Sequence, residues 1–263
     1  FKVNQITEWL NDRKSHARLL GSDPFFATAL RAWLADGAAV DARRNQLIDW
    51  LRTQRQTLDY DSIAITDSIG RVLLSSGSVV LNREIYDRIA AARASGDVVL
   101  SDIYSVDGAE SGSSVALDFV VPLSAVGASP EPAAALVLAR IDAAKSLFPL
   151  LQHWPTASAT AETLLVRREG NELLFLNSPR LSSAPPMTLR RPADQADLPL
   201  AKFLRGITEA GEGIDYRGRR VLAAVRQIPD TSWVMVAKIE PDEVYAPLRR
   251  IALATGLIVS ASI

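Results

Sequence analysis

The chain has no cysteine among its 263 residues, and only two histidines and two methionines. The missing cysteines exclude disulfide frameworks and thiolate metal sites, and they fit an oxidising compartment as well as the cytoplasm. The histidines, His16 and His153, belong to no HExxH or other paired spacing that would hold zinc. Charge of one sign is lacking too: 29 basic against 30 acidic residues leave a net charge of −1, mixed along the chain. Without a basic stripe, nucleic acid is not an expected partner. No G-x-S-x-G elbow occurs, and the P-loop glycine spacing of Gly206 and Gly211 is followed by Glu212 where lysine is required. No catalytic residue, metal or cofactor is therefore expected, and the chain reads as a binding module.

What is present is an apolar fraction of 48%, enough for two cores in a chain of this length, and an internal repeat. Leu136–Leu150 reappears 98 residues later as Val234–Leu248, with four of fifteen positions identical and five more conserved in chemistry. Leu-Val-Leu-Ala-Arg-Ile-Asp becomes Val-Met-Val-Ala-Lys-Ile-Glu, and both copies end in Pro-Leu. Hairpin signals repeat at a similar offset. Ile63 and Ile65 lead through Asp67-Ser68-Ile69-Gly70 into Val72-Leu73-Leu74; Leu165-Val166 leads through Arg167-Arg168-Glu169-Gly170 into Leu173-Leu174-Phe175. Gly70 and Gly170 stand where such turns need a positive φ.

Ahead of the repeats the period is helical. Val3, Ile6, Leu10, Ala17 and Leu20 form a stripe interrupted by Arg13. Asp23-Pro24 starts a second helix carrying Phe25, Phe26, Leu30 and Trp33 to about Gly37, and Asp41–Leu58 makes a third. Trp9, Trp33 and Trp50 fall on these apolar stripes as core residues. In the first copy a helix over 82–94, closed by Gly96, crosses to strands near Val98–Tyr104, Ala116–Leu123 and Ala135–Ile141. The second copy crosses by Pro185–Pro199 and a helix near Leu200–Ile207 to strands near Gly213–Tyr216, Val221–Ile228 and Trp233–Ile239. Each unit is hairpin, crossing, then three antiparallel strands. The crossing covers one sheet face, and the N-terminal helix is expected to cover the other in both units.

The chain opens on Phe1 without methionine and is expected to be a fragment. Ile251 to Ile263 runs thirteen residues without a charge, against the ~20 a membrane span needs. It is either the start of a span or a buried helix end. Arg249 and Arg250 on the outer side run against the positive-inside tendency.

This layout, with Asp215-Tyr216-Arg217-Gly218 before Val221-Leu222-Ala223-Ala224, the closing Trp233–Glu240 and Ser101-Asp102-Ile103-Tyr104, resembles the double Cache (dCache) sensor module. Such modules are extracytoplasmic regions of bacterial histidine kinases, diguanylate cyclases and chemoreceptors, and the resemblance covers nearly the whole chain. It implies an α+β fold: a long N-terminal helix and two tandem PAS-like units, each with a mainly antiparallel five-stranded sheet. It further implies a helical region at 1–58 spanning both units, a distal ligand-binding unit at 59–155, a membrane-proximal unit at 156–248 and the start of a transmembrane helix at 249–263. The expected setting is the periplasmic side of the inner membrane. The expected partners are a small molecule, a second copy joined through the N-terminal helix, and the membrane through the flanking segments. A free periplasmic solute-binding protein is the alternative.

Amino-acid-binding members carry Arg-x-Trp-Tyr on the crossing helix and an ammonium-binding Asp on the last distal strand. Here Arg83-Glu84-Ile85-Tyr86 keeps only the Arg and Tyr, and the Asp aligns with Arg140, or with Asp142 after a shift of two. Arg83 and Arg140 facing one cavity would favour a carboxylate or other anion. Each candidate also has a structural reading. Arg83 suits a solvated first turn, Tyr86 a staple on Leu81, and Arg140, matched by Lys238, a salt bridge common to both units. Asp102 and Tyr104, two apart, share one side of a strand; Asp118 is either exposed or in the pocket. Asp215-Tyr216-Arg217 reads as a strand-end turn with a local ion pair.

Overall fold

Asp23 and Asp41 begin two helices because each carboxylate accepts the backbone N–H three residues on, from Phe26 and Arg44. The computed structural model describes residues 1–106, 114–123, 135–152, 154, 157–207 and 209–246. The expected features at His153, Pro247-Leu248 and 249–263 lie outside them. The chain divides into two units, Gln5–Leu147 and Phe148 onward, the latter including Phe1–Asn4.

The first unit opens within α1 (Lys2–Gly21), from Gln5, and continues with α2 (Pro24–Ala35) and α3 (Ala42–Thr57). Ile6, Leu10, Ala17 and Leu20 of α1 are buried. Arg13 interrupts that stripe without cost because its Nη1 donates to the Leu58 carbonyl at 2.5 Å and its guanidinium lies between the Trp9 and Tyr60 rings. On α2, Phe26, Leu30 and Trp33 take the buried stripe, and Phe26 stacks on Trp50 at 4.1 Å. Phe25, one residue and so ~100° round the helix, is 86% exposed rather than on the apolar side.

The first sheet comprises β1 (Ser62–Asp67), β2 (Val72–Ser76), β3 (Val99–Leu100), β4 (Tyr104–Val106), β5 (Ser114–Pro122) and β6 (Ala135–Asp142). It is antiparallel, in the order β2-β1-β6-β5-β3, with β4 also on β5. Six segments replace the five strands expected because the edge strand breaks at 101–103. There the Ser101 hydroxyl accepts the Asp118 N–H at 2.9 Å. The crossing helix α4 (Arg83–Ser95) is capped by the Asn82 side chain and closed by left-handed Gly96. Its Ile85, Ile89 and Ala92 pack on Tyr104, Ala116, Val120, Leu136 and Leu138. Burying each isoleucine stabilises this layer by about 1.5–3 kcal/mol. Leu117, Phe119, Val137 and Ala139 alternate with that set and are equally buried, so both sheet faces are covered and β5 and β6 read as apolar runs broken only by Asp118 and Arg140. On the far side α3 contacts β1 and β2, and Gly21 approaches the Pro122 carbonyl so closely that a Cβ there would lie 2.7 Å from it. The short helices α5 (Ala143–Ser146) and α6 (Phe148–Gln152) follow.

The second sheet repeats the topology with β7 (Glu162–Glu169), β8 (Glu172–Phe175), β9 (Arg190–Pro192), β10 (Ala210–Ile214), β11 (Arg220–Gln227) and β12 (Trp233–Ile239). Its order is β10-β11-β12-β7-β8-β9. The sixth strand comes from the proline-rich crossing, where Arg190–Pro192 adds to the edge at β8; an edge tolerates the missing proline N–H. The rest of the crossing is α7 (Pro199–Leu204), packed through Leu200 and Ala201 on Val221, Ala223, Val234 and Val236. Residues 241–246 are helical. Among the described residues no helix is long and apolar enough to cross a membrane.

Gly70 has φ +92°, and a Cβ there would meet the Tyr86 ring at 2.6 Å. Gly70→Ala is therefore expected to lower stability by about 1–3 kcal/mol, read as a fall in the urea midpoint at constant m-value. An unchanged midpoint would contradict this geometry. Glu243 offers a pH test. Its carboxylate accepts the N–H groups of Ala159 (3.0 Å) and Thr160 (2.8 Å) and the Thr160 hydroxyl. Hydrogen bonds from the Thr160 and Ser158 hydroxyls, then from the backbone, hold its pKa at about 2 against an ordinary 4.5. A depressed folded-state pKa means the stabilisation is present above pH ~4.5 and is lost as pH falls toward ~2. Acid titration of stability should flatten over that window in Glu243→Gln.

Candidate ligand site

Strand register builds the centre of the site. Asp118 on β5 and Arg140 on β6 are direct cross-strand partners, so both side chains stand on the face covered by α4. Asp118 is 0% and Arg140 4% exposed, so the exposed alternative for Asp118 is excluded. The pair is bidentate: Arg140 Nε donates to Oδ1 and Nη2 to Oδ2, each at 2.9 Å. Tyr104 completes it, donating its hydroxyl to Asp118 Oδ2 and accepting from Arg140 Nη2 at 2.5 Å. Arg140 Nη2 also reaches the Val80 carbonyl at 3.0 Å, tying the closing strand to the segment that leads into α4.

The electrostatics follow from burial and pairing. Burial raises the Tyr104 pKa, and the Asp118 charge raises it further, so the phenol stays protonated. For Arg140 burial is the largest influence and opposes the charge, but the Asp118 hydrogen bonds and charge outweigh it and the pKa is raised.

The remaining expected site residues are elsewhere. Arg83 is exposed and Tyr86 is 47% exposed, its ring lying over Gly70 of the hairpin turn. The inward positions of α4 belong to Ile85 and Ile89. The expected pair of guanidiniums around one anion is therefore not assembled, because Arg83 faces out and Asp118 takes the Arg140 charge. Asp102 does not share a strand face with Tyr104, since it lies in the break between β3 and β4. Its N–H donates to Glu84 Oε1 at 2.6 Å and its carboxylate accepts from Ile103 N. Asp142 caps α5 and pairs with Lys145. Sequence reasoning missed Ser101, whose signal was a serine opening an otherwise unexplained polar break.

The second unit holds the counterpart. Lys238, equivalent to Arg140, is 2% exposed and pairs with Glu162 at 2.9 Å and Asp215 at 2.6 Å, while the Tyr216 hydroxyl bonds to Glu162. Arg217 pairs with Asp215 as expected and links it to Glu240. Burial raises the Asp215 pKa, but the Lys238 hydrogen bond and then those of Arg219 N and Arg217 reverse this, so it is lowered overall. The acid has changed sides. Arg140 lies between Ser62 on β1 and Asp118 on β5, whereas Lys238 lies between Glu162 on β7 and Ala223 on β11. A cavity of about 20 Å³, room for a water, adjoins this cluster between Leu164, Phe175, Leu198 and Tyr216. Glu162, at the start of its strand, gave no sequence signal. Among the described residues no group of three or more His, Cys, Asp or Glu is placed to hold a metal.

Asp118→Ala leaves Arg140 buried without its counter-charge and is expected to cost about 3–5 kcal/mol. The triple change Tyr104→Phe, Asp118→Leu, Arg140→Met removes every charge and should recover most of that loss. Urea denaturation of both variants checks it; a triple variant no better than the single one would refute the account.

No protein-family model and no curated protein matches the sequence. Solved structures do. The ligand-binding domain of the Pseudomonas fluorescens chemoreceptor CtaA, in complex with L-isoleucine, aligns at 15% identity and TM-score 0.60 over 93% of this chain and 90% of that one. That of the Pseudomonas aeruginosa PAO1 amino acid chemoreceptor PctB, with L-Arg, aligns at 13% and 0.56 over 93% of each. A domain of a sensory box/GGDEF family protein from Vibrio parahaemolyticus aligns at 12% and 0.57 over 92% and 94%. At such identities the likeness is one of fold. The chain has the double Cache fold of bacterial sensory domains.

Proposed function

We propose that this chain is the extracytoplasmic sensing region of a transmembrane receptor, with a small molecule held in the first unit between its sheet and α4. The observation that carries the reading is the buried Tyr104–Asp118–Arg140 group, which joins the sheet to the crossing through the Val80 carbonyl. Chemoreceptor domains of this fold bind amino acids, as CtaA and PctB do. A molecule seated against that group changes the balance between two arrangements of the crossing, and a difference in affinity between them is all that signalling requires. The second unit then acts as relay to a membrane helix beginning near residue 249, at the inner membrane. A pair of chains joined through α1 moves together. The resemblance to receptor domains favours this over a free solute-binding protein. No catalytic step is assigned to the chain.

A thermal-shift screen of small metabolites tests the reading. A ligand at a hundred times its Kd adds about 2.7 kcal/mol, and at roughly 2–4 °C per kcal/mol a true ligand should raise the midpoint by several degrees. If a broad panel of amino acids, carboxylates, amines, sugars and nucleosides leaves the midpoint unmoved, small-molecule sensing by this chain is rejected.

A further inference from the structure

We infer that the ligand of the first unit is an uncharged polar molecule, recognised through hydroxyl or amide groups by Ser62 beside the closed Asp118–Arg140 pair; this rests on the sensing function proposed above. Asp118 and Arg140 are already paired with each other. Both Asp118 oxygens and the Nε and Nη2 of Arg140 bond within the Tyr104–Asp118–Arg140 group or to Val80, and the two formal charges cancel. Hydroxyl hydrogen-bonding capacity is not spent. Ser62 and Thr66 are each 0% exposed, and among the described residues neither hydroxyl oxygen has a hydrogen-bond partner.

Register places both on the side that faces α4. Ser62 is the cross-strand partner of Arg140 and Thr66 of Leu136, whose side chain packs on the crossing helix. A buried hydroxyl without a partner is destabilising unless something supplies one. Four residues along β1 put Thr66 about 13 Å from Ser62, so Ser62 is the determinant and Thr66 serves only a ligand as long as a nucleoside. Gly77 closes the outer side of the serine: a Cβ there would lie 2.8 Å from the Ser62 Cβ, so only bare backbone fits over it. Three residues on, Val80 is held by Arg140.

Electrostatics then selects the class. A ligand with net charge adds an uncompensated charge beside a neutral buried pair, and a zwitterion gains its partners only by parting Asp118 from Arg140. An uncharged molecule bonds Ser62 and leaves the pair intact.

The test is a thermal-shift comparison of the whole chain against uncharged compounds (ribose, mannitol, uridine, uracil), net-charged ones (succinate, spermidine, L-arginine) and the zwitterion L-alanine. Shifts confined to the uncharged set are expected. Ser62→Ala should weaken that ligand at least tenfold by titration while leaving the ligand-free midpoint equal or higher, since the hydroxyl makes no bond among the described residues. Shifts from charged compounds or the zwitterion alone would overturn the inference and leave sensing standing. A Ser62→Ala variant that binds the uncharged ligand unchanged would also overturn it. Silence across all three sets would end both.

Discussion

A basic residue buried near the end of the last strand, under the crossing, is the constraint around which each unit is arranged. Arg140 and Lys238 stand at the same place in two copies of one sheet, and neither has water to solvate it. An uncompensated buried cation costs several kcal/mol, so each unit must bring a carboxylate within hydrogen-bonding reach. The first supplies Asp118 from β5, and the second supplies Glu162 from β7 with Asp215 from the turn after β10. Each answer also engages the crossing backbone. Arg140 donates to the Val80 carbonyl, and Glu162 accepts the Leu181 N–H at 3.2 Å. The polarity of that tie reverses between units because the residue available for it is a cation in one and an anion in the other.

Much of the architecture was legible because local chemistry and global fold agree. The aspartate caps of α2 and α3, the Asn82–Gly96 bracket around α4 and the glycines of both hairpins act through bonds or φ angles two to four residues away. The Arg140–Lys238 match correctly pointed to a shared salt bridge. It was silent on partners, because a strand has two neighbours and the sequence does not say which carries the acid. The extra strands were missed for a similar reason. One arises where a side-chain hydroxyl substitutes for a ladder bond at Ser101, the other where a proline-bearing segment finds an open edge.

The ligand signature failed for a rotational reason. Arg83 and Tyr86 sit at the right distance in sequence from the Asn82 cap, but the apolar pair Ile85 and Ile89 claims the inward face of α4 and turns them out. Ile85, which stands at the motif's tryptophan position, packs in the core under α4. At 12–15% identity to solved sensory domains, what is shared is the fold.

The carboxylate of Glu243 joins the point where the chain enters the second sheet to the point where it leaves. The two strands beginning and ending there, β7 and β12, are antiparallel neighbours, with Glu162 opposite Lys238 at the mouth. Tension applied across these ends therefore unzips the strands one rung at a time instead of shearing all rungs at once. Glu243 is the clasp at the open end of that zipper, and the buried lysine with its two acids is the first tooth behind it.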